Sequence, residues 1–107
     1  PEAVQASLVR AADVPLDVAR LSVEVLRLAD QAASLGNQNA ATDAAVAGLM
    51  GLAAVEAAAL NVRANAASME DAGLAGRYRS DIAALAEQGR SLRERIVSTA
   101  ETRAGLA

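Results

Sequence analysis

The feature that most constrains the fold of this chain is an almost uncharged run from Ala44 to Leu60. Glu56 is its only charged residue, and more than half of its positions are Ala or Gly. A helix with so little polar surface has no face suited to water, so we expect it to pack among other helices. Its small side chains predict that neighbouring backbones approach closely. The small residues expected at these contacts are Ala44, Ala47, Gly48 and Gly51.

The rest of the chain has helical periodicity, and no segment alternates as a strand does. Val14 precedes Pro15, which predicts a break between a first and a second helix. Gly36 is expected to end the second helix and Asp71 to cap the last one. The last helix also has a coiled-coil seam, formed by Tyr78, Ile82, Leu85, Gly89, Leu92, Ile96 and Thr99. We therefore predict one all-α domain over residues 1–107, an antiparallel bundle of four helices near 2–12, 15–35, 41–67 and 72–103.

Composition excludes several classes of function. The net charge is −3, and Lys, Phe and Trp are absent, so the chain lacks the basic surface and aromatic platforms that bind nucleic acid. Cys and His are absent too, which excludes disulfides, thiol nucleophiles and imidazole metal sites. The longest uncharged run, 44–55, is too short and too rich in Ala to predict a membrane span. With no secretion signal in the sequence, we expect a cytoplasmic protein without a metal or a membrane partner.

Two of the predicted helices are apolar on more than one side, which indicates a partner surface. That partner could be a second copy, a missing half of the protein, or both. The chain begins at Pro1 rather than at Met. We therefore expect it to be a piece of a longer protein.

Six polar residues at the two ends of the central helix are the candidates for a ligand site: Asn37, Asn39, Thr42, Asp43, Asn61 and Asn65. Asp43 and Asn61 are about five helical turns apart, so they lie on one face of an unbroken helix. Two interpretations of these residues stay open. In the first, Asn39, Thr42 or Asp43 caps the helix, and Asn61 and Asn65 are amides that bridge helices. In the second, the same side chains hydrogen-bond a ligand.

Three segments together resemble the cyclodeaminase/cyclohydrolase family of folate enzymes. They are AADVPL (11–16), GNQNAATDAAVA (36–47) and AALNVRAN (58–65). The family includes methenyltetrahydrofolate cyclohydrolases and the cyclodeaminase domain of formiminotransferase-cyclodeaminase. The order and spacing agree over nearly the whole chain. Thr42 stands where the family usually has Ser, a change that keeps the hydroxyl group.

The resemblance implies a dimeric, all-helical enzyme of one-carbon metabolism. Its substrate would be 5,10-methenyltetrahydrofolate, opened by water, or 5-formiminotetrahydrofolate, cyclised with loss of ammonia. The sequence does not distinguish the two reactions. By position, the six candidate polar residues fall on family motifs and are expected to bind the folate, with no further cofactor.

Family members are longer, and their N-terminal half carries a Gly-rich segment and the aspartate proposed as catalytic base. We therefore expect the chain to be the C-terminal half of the domain, with an unknown catalytic residue and no turnover alone. The alternative function is a non-catalytic helical module for dimerisation or scaffolding. A helical partner of a secreted pair is a more distant alternative that no feature of the sequence supports.

Overall fold

The computed structural model describes residues 1–107 and contains only helices. The elements, in chain order, are helix α1 (Glu2–Leu35), a 3-10 turn (Gln38–Ala40), helix α2 (Ala41–Ala67) and helix α3 (Ala72–Arg103). They form an elongated bundle of 57 × 16 × 16 Å in which α2 packs against both other helices. The prediction of an all-α fold is confirmed, but the predicted count of four helices is wrong.

The error lies at Pro15, because α1 continues through this residue. Proline has no N–H group, so the carbonyl of Ala11, four residues earlier, has no helical donor. Asn65 of α2 supplies one, since its Nδ2 donates to the Ala11 carbonyl at 3.2 Å. Ala12 and Leu16, on either side of the proline, are both buried in the core. Packing and this hydrogen bond therefore hold the predicted helices 2–12 and 15–35 together as one helix.

The other predicted helix boundaries are confirmed. α2 and α3 begin and end as expected, and Asp71 caps α3 by accepting a hydrogen bond from the Leu74 N–H at 3.0 Å. Gly36 ends α1, and its N–H donates to the Ala32 carbonyl at 2.9 Å. The backbone of Gly36 is extended rather than left-handed. A Cβ at Gly36 would lie 2.5 Å from the Ala32 carbonyl oxygen, so this position needs glycine because of the close approach.

Gly48 and Gly51 of α2 are buried against neighbouring helices, but they contact bulky side chains and not, as predicted, a neighbouring backbone. A Cβ at Gly51 would lie 2.9 Å from Cδ2 of Leu26 in α1, and one at Gly48 would lie 3.1 Å from Cγ2 of Ile96 in α3. Each glycine therefore accommodates a bulky side chain from a neighbouring helix. The largest fully buried side chains are Leu26, Ile82, Ile96, Val23, Val55 and Val62.

Tyr78 connects α3 to α1 at one end of the bundle. Its hydroxyl donates a hydrogen bond to the carboxylate of Asp13. This hydrogen bond, together with burial of the phenol and the negative charge of Asp13, raises the pKa of Tyr78 to about 12. The rest of the predicted seam of α3 is also directed inward, with Leu85 and Thr99 only half-buried.

Two helices were predicted to be apolar on more than one side. In α1 and α2, the apolar sides that face away from the core are exposed to solvent. The exposed large apolar residues of α1 from its midpoint onward include Leu21, Leu28 and Leu35, and those of α2 include Val46 and Met50. The segment Gln38–Ala67 is long enough and, with a mean hydropathy of 1.7, apolar enough to span a membrane. The uncharged run 44–55, considered alone, had predicted no such span. A core helix meets the same requirements, so this is weak evidence for a membrane. Only 28% of its most apolar window is buried in the chain.

Candidate functional site

The turn before α2 is organised by Asn37. Its side-chain oxygen accepts a hydrogen bond from the backbone N–H of Asn39 at 2.8 Å and caps the 3-10 turn. The residue at the N-cap of α2 is Ala40, which makes no side-chain cap. The predicted capping roles of Asn39, Thr42 and Asp43 are therefore wrong. The capping residue is instead Asn37, directly after Gly36, because the 3-10 turn lies between α1 and α2.

Three exposed polar side chains consequently remain free at the start of α2, namely Asn39, Thr42 and Asp43. Asp43 lies in the first turn, where the positive end of the helix dipole favours a carboxylate. The dipole explains why Asp43 suits the start of the helix. The side-chain oxygens of Asn39, Thr42 and Asp43, and the side-chain NH₂ group of Asn39, are available to a ligand.

Asn65 and Asn61 lie at the other end of α2. Besides its bond to the Ala11 carbonyl, the Nδ2 group of Asn65 donates to the Asn61 carbonyl at 2.9 Å. Both amide hydrogens of Asn65 are thereby used, and its side-chain oxygen stays available as an acceptor. The Asn61 side chain is exposed and has a whole amide group to offer. Asn65 thus bridges helices, whereas Asn61 does not.

Both asparagines line a groove of about 480 Å³ between α1 and α2. The lining residues are Ala11, Val14, Pro15, Val18, Ala54, Ala57, Ala58, Asn61 and Asn65. Its walls are apolar, and the two amides provide hydrogen-bonding groups toward the end near Ala11. A planar ring with polar edges suits such a site, because apolar walls contact its faces and amides bind its edges. No titratable side chain lines the groove.

The two groups of predicted site residues do not meet within one chain. The 18 residues from Asp43 to Asn61 correspond to a rise of about 27 Å along α2. None of the four turn residues lines the groove. The structure therefore brings Asn61 and Asn65 together and places Asn37, Asn39, Thr42 and Asp43 at the opposite end of the helix.

The α1 side of the groove, Val14, Pro15 and Val18, was not predicted as part of a site. The available signal was Pro15 itself, because a proline inside a helix leaves a free carbonyl four residues earlier. The sequence also gave no indication of a polar pocket of about 230 Å³ on the other side of α1. That pocket is lined by Asp13, Leu16, Arg20, Leu74, Arg77, Tyr78 and Asp81.

Comparison with known proteins adds two findings. The sequence model of the formiminotransferase-cyclodeaminase family matches residues 1–84. The chain is also 37% identical, over 100 residues, to a methenyltetrahydrofolate cyclohydrolase of Methylorubrum extorquens. This match covers 94% of the present chain and 48% of the relative, so the chain spans about half the length of that enzyme. With most of its length matched by the family model, the chain belongs to the formiminotransferase-cyclodeaminase family.

Proposed function

We propose that this chain supplies part of the folate site of a one-carbon enzyme. The full-length protein would hydrolyse 5,10-methenyltetrahydrofolate or cyclise 5-formiminotetrahydrofolate with loss of ammonia. Membership of the family and similarity to a protein named methenyltetrahydrofolate cyclohydrolase support this proposal. Either reaction needs a general acid or base near the one-carbon group. Since the groove has no titratable lining residue, we expect the chain alone to bind folate without turning it over.

The observation that carries the proposal is the pair of amides at the end of the apolar groove. Asn61 offers a donor and an acceptor, and the side-chain oxygen of Asn65 offers a second acceptor. The pterin ring of a folate is flat and has donors and acceptors along its edge. It would lie between the apolar walls contributed by Val18 and Ala57, with its edge directed toward the amides.

The test is the binding of 5,10-methenyltetrahydrofolate to the chain, measured by calorimetry, with the absorbance of the methenyl group as the check on turnover. Asn61→Ala is expected to weaken binding about tenfold, which corresponds to one lost hydrogen bond of about 1.4 kcal/mol. Asn65→Ala is less suitable, because it also removes the donor to Ala11. Gln31→Ala, an exposed amide of α1 outside the groove, is the matched control.

Unchanged binding in a helical Asn61→Ala variant would refute the assignment of the groove. Hydrolysis of the methenyl compound well above the rate in buffer would refute the expectation that the chain alone is inactive. Both outcomes can be read from the same samples, because the calorimetric and absorbance signals are independent.

The second candidate is a non-catalytic module for dimerisation or scaffolding. The observation that favours it is the exposed apolar surface of α1, where Leu21 and Leu28 are 67% and 64% exposed. In this case Leu21→Asp would change the mass of the particle in solution, whereas Asn61→Ala would change neither mass nor ligand binding. Sedimentation of the two variants separates this function from the first.

A further inference from the structure

The turn before α2 is held in place only at its two ends. Residues 37–40 are all exposed, so no packing against the bundle fixes the turn itself. The nearest fully buried residues on either side are Ala33 in α1 and Ala41 at the start of α2. The side-chain hydrogen bond between Asn37 and the Asn39 N–H shapes the turn but does not attach it to another helix. The position of the turn therefore depends on where α1 ends and where α2 begins.

The end of α1 lacks two features that usually stabilise a helix C-terminus. The last four carbonyls of a helix have no partner within the helix itself. The Gly36 N–H donates to the Ala32 carbonyl, but no backbone N–H reaches the Ala33 carbonyl. α1 also has no basic residue in its last turn, where a cation would interact favourably with the helix dipole. A donor and a positive charge must therefore come from elsewhere in the fold.

Arg103, the last residue of α3, supplies both. Its Nη1 donates to the Ala33 carbonyl at 2.7 Å in a partly buried contact. Side-chain contacts between α1 and α3 pair residues 65 to 70 positions apart, so the two helices run parallel and end at the same end of the bundle. The guanidinium group thus brings a charged donor to the end of α1, three residues before Gly36.

Two further contacts hold the second half of α3 against α1. Arg95 forms a bidentate pair with Asp30, in which Nε donates to Oδ1 at 3.1 Å and Nη2 donates to Oδ2 at 2.8 Å. These hydrogen bonds and the negative charge of Asp30 raise the pKa of the Arg95 guanidinium. Nη2 of Arg27 donates to the side-chain oxygen of Gln88 at 3.0 Å. The three contacts follow one another along the two helices, and the one made by Arg103 is nearest to the turn.

The α3 residues that make these contacts lie beyond the matched part of the chain. The sequence model of the family ends at residue 84, before Gln88, Arg95 and Arg103. The segments that carry the family resemblance end earlier still, at Asn65. The role of Arg103 therefore follows from its contacts and not from any motif.

We propose that Arg103 is a positioning residue, which fixes the end of α1 and thereby holds the turn before α2 in one ligand-binding geometry. With the Ala33 carbonyl held, the chain leaves α1 in a single direction. Asn37 and Asn39 then keep a constant position relative to Asp43 on α2. That this geometry serves a folate rests on the proposed function, whereas the positioning itself does not.

Backbone amide order parameters from NMR relaxation test the positioning directly. Arg103→Met keeps an apolar stem of similar length and removes every donor. In this variant the order parameters of residues 37–40 should fall from about 0.85 to below about 0.6, the range of a flexible segment, while those of α2 stay near 0.85. Arg95→Met is the matched control, because it removes a contact of the same kind about two helical turns farther from the turn. It should leave the turn rigid, and Arg103→Lys, which restores a charged donor, should return the order parameters toward those of the wild type.

Two results would overturn the positioning role: unchanged order parameters in a folded Arg103→Met chain, or an equal loss of order in Arg95→Met. A general loss of stability does not produce the expected pattern, because a less stable fold keeps its turn rigid until it unfolds. Arg103 lies outside the buried core cluster, so its substitution should leave the bundle folded, and circular dichroism checks this. Arg103→Gln, whose side chain is too short to reach the carbonyl, takes the place of Arg103→Met if that variant is unfolded.

Binding of 5,10-methenyltetrahydrofolate then tests the consequence for the ligand. If the released turn adopts the binding geometry about a tenth of the time, Arg103→Met should bind about tenfold more weakly than the wild type. Arg95→Met should bind within about twofold of the wild type, and Arg103→Lys should recover most of the lost affinity. Wild-type affinity in an Arg103→Met chain with a mobile turn would overturn the link to the ligand. If the wild-type chain binds no folate, the proposed function fails, whereas the order parameters still decide the positioning.

Discussion

A double-mutant cycle between Pro15 and Asn65 tests how α1 stays continuous. Asn65→Ala removes the donor that serves the Ala11 carbonyl. We expect it to lower the free energy of unfolding by about 1 kcal/mol, the usual net value of one hydrogen bond. For a domain of this size, that corresponds to a decrease in Tm of about 4–8 °C. Urea denaturation followed by circular dichroism at 222 nm measures the change.

The second side of the cycle is Pro15→Ala, which restores an N–H group one turn after Ala11. The new N–H can donate to the Ala11 carbonyl, so Asn65 is no longer needed there. In the Pro15→Ala background, Asn65→Ala should lower the free energy of unfolding by only about 0.3 kcal/mol. The coupling free energy between the two positions is then about 0.7 kcal/mol. Additive effects of the two substitutions would refute the explanation that Asn65 replaces the donor missing at Pro15.

Two further predictions concern the core and the contact between α1 and α3. Gly51→Ala should destabilise the chain by about 1–3 kcal/mol, because the new Cβ would lie 2.9 Å from a side-chain carbon of Leu26. Gly76→Ala is the control, since nothing lies within 4 Å of its Cβ position. This substitution should stabilise α3 by about 0.5–1 kcal/mol. Equal effects of the two substitutions would contradict the packing argument. The pKa of Tyr78 is raised from 10.0 to about 12, so the folded state favours the neutral phenol. Its contribution to stability should therefore be complete below pH 10 and be lost as the pH rises from 10 toward 12. Urea midpoints between pH 9 and pH 12 should show this loss in the wild type and not in Tyr78→Phe.

The sequence was sufficient to predict the helices whose signals are local. The bounds of α2 and α3 follow from apolar periodicity and from the cap at Asp71, and these signals lie within a few residues of each helix end. The small residues of α2 marked where neighbouring helices make contact, but the prediction of close backbones was not met, because Gly48 and Gly51 make room for the side chains of Ile96 and Leu26.

The failures have one physical cause, which is compensation by groups far away in the sequence. Pro15 predicts a break from local chemistry alone, but the replacement donor, Asn65, lies 54 residues beyond Ala11. The predicted N-caps of α2 were wrong for a related reason. The short turn capped by Asn37 follows from how α1 and α2 are joined, and spacing within α2 carries no information about it. Sequence reasoning named Asn61 and Asn65 as a pair but could not show which α1 residues complete their groove.

The charge of Asp43 offers a final test that separates helix stabilisation from ligand binding. If Asp43 only complements the dipole at the start of α2, Asp43→Asn should lower stability by about 0.3–1 kcal/mol and leave ligand binding unchanged. If its carboxylate binds the folate substrate, as the family resemblance implies, it should also attract the positively charged methenyl group of 5,10-methenyltetrahydrofolate. Asp43→Asn should then weaken binding of this cation about fivefold, the effect of one partly exposed ion pair. Binding of tetrahydrofolate, which lacks the methenyl charge, should change less than twofold in the same titration. Equal losses for the two ligands would show that the carboxylate does not lie near the one-carbon group.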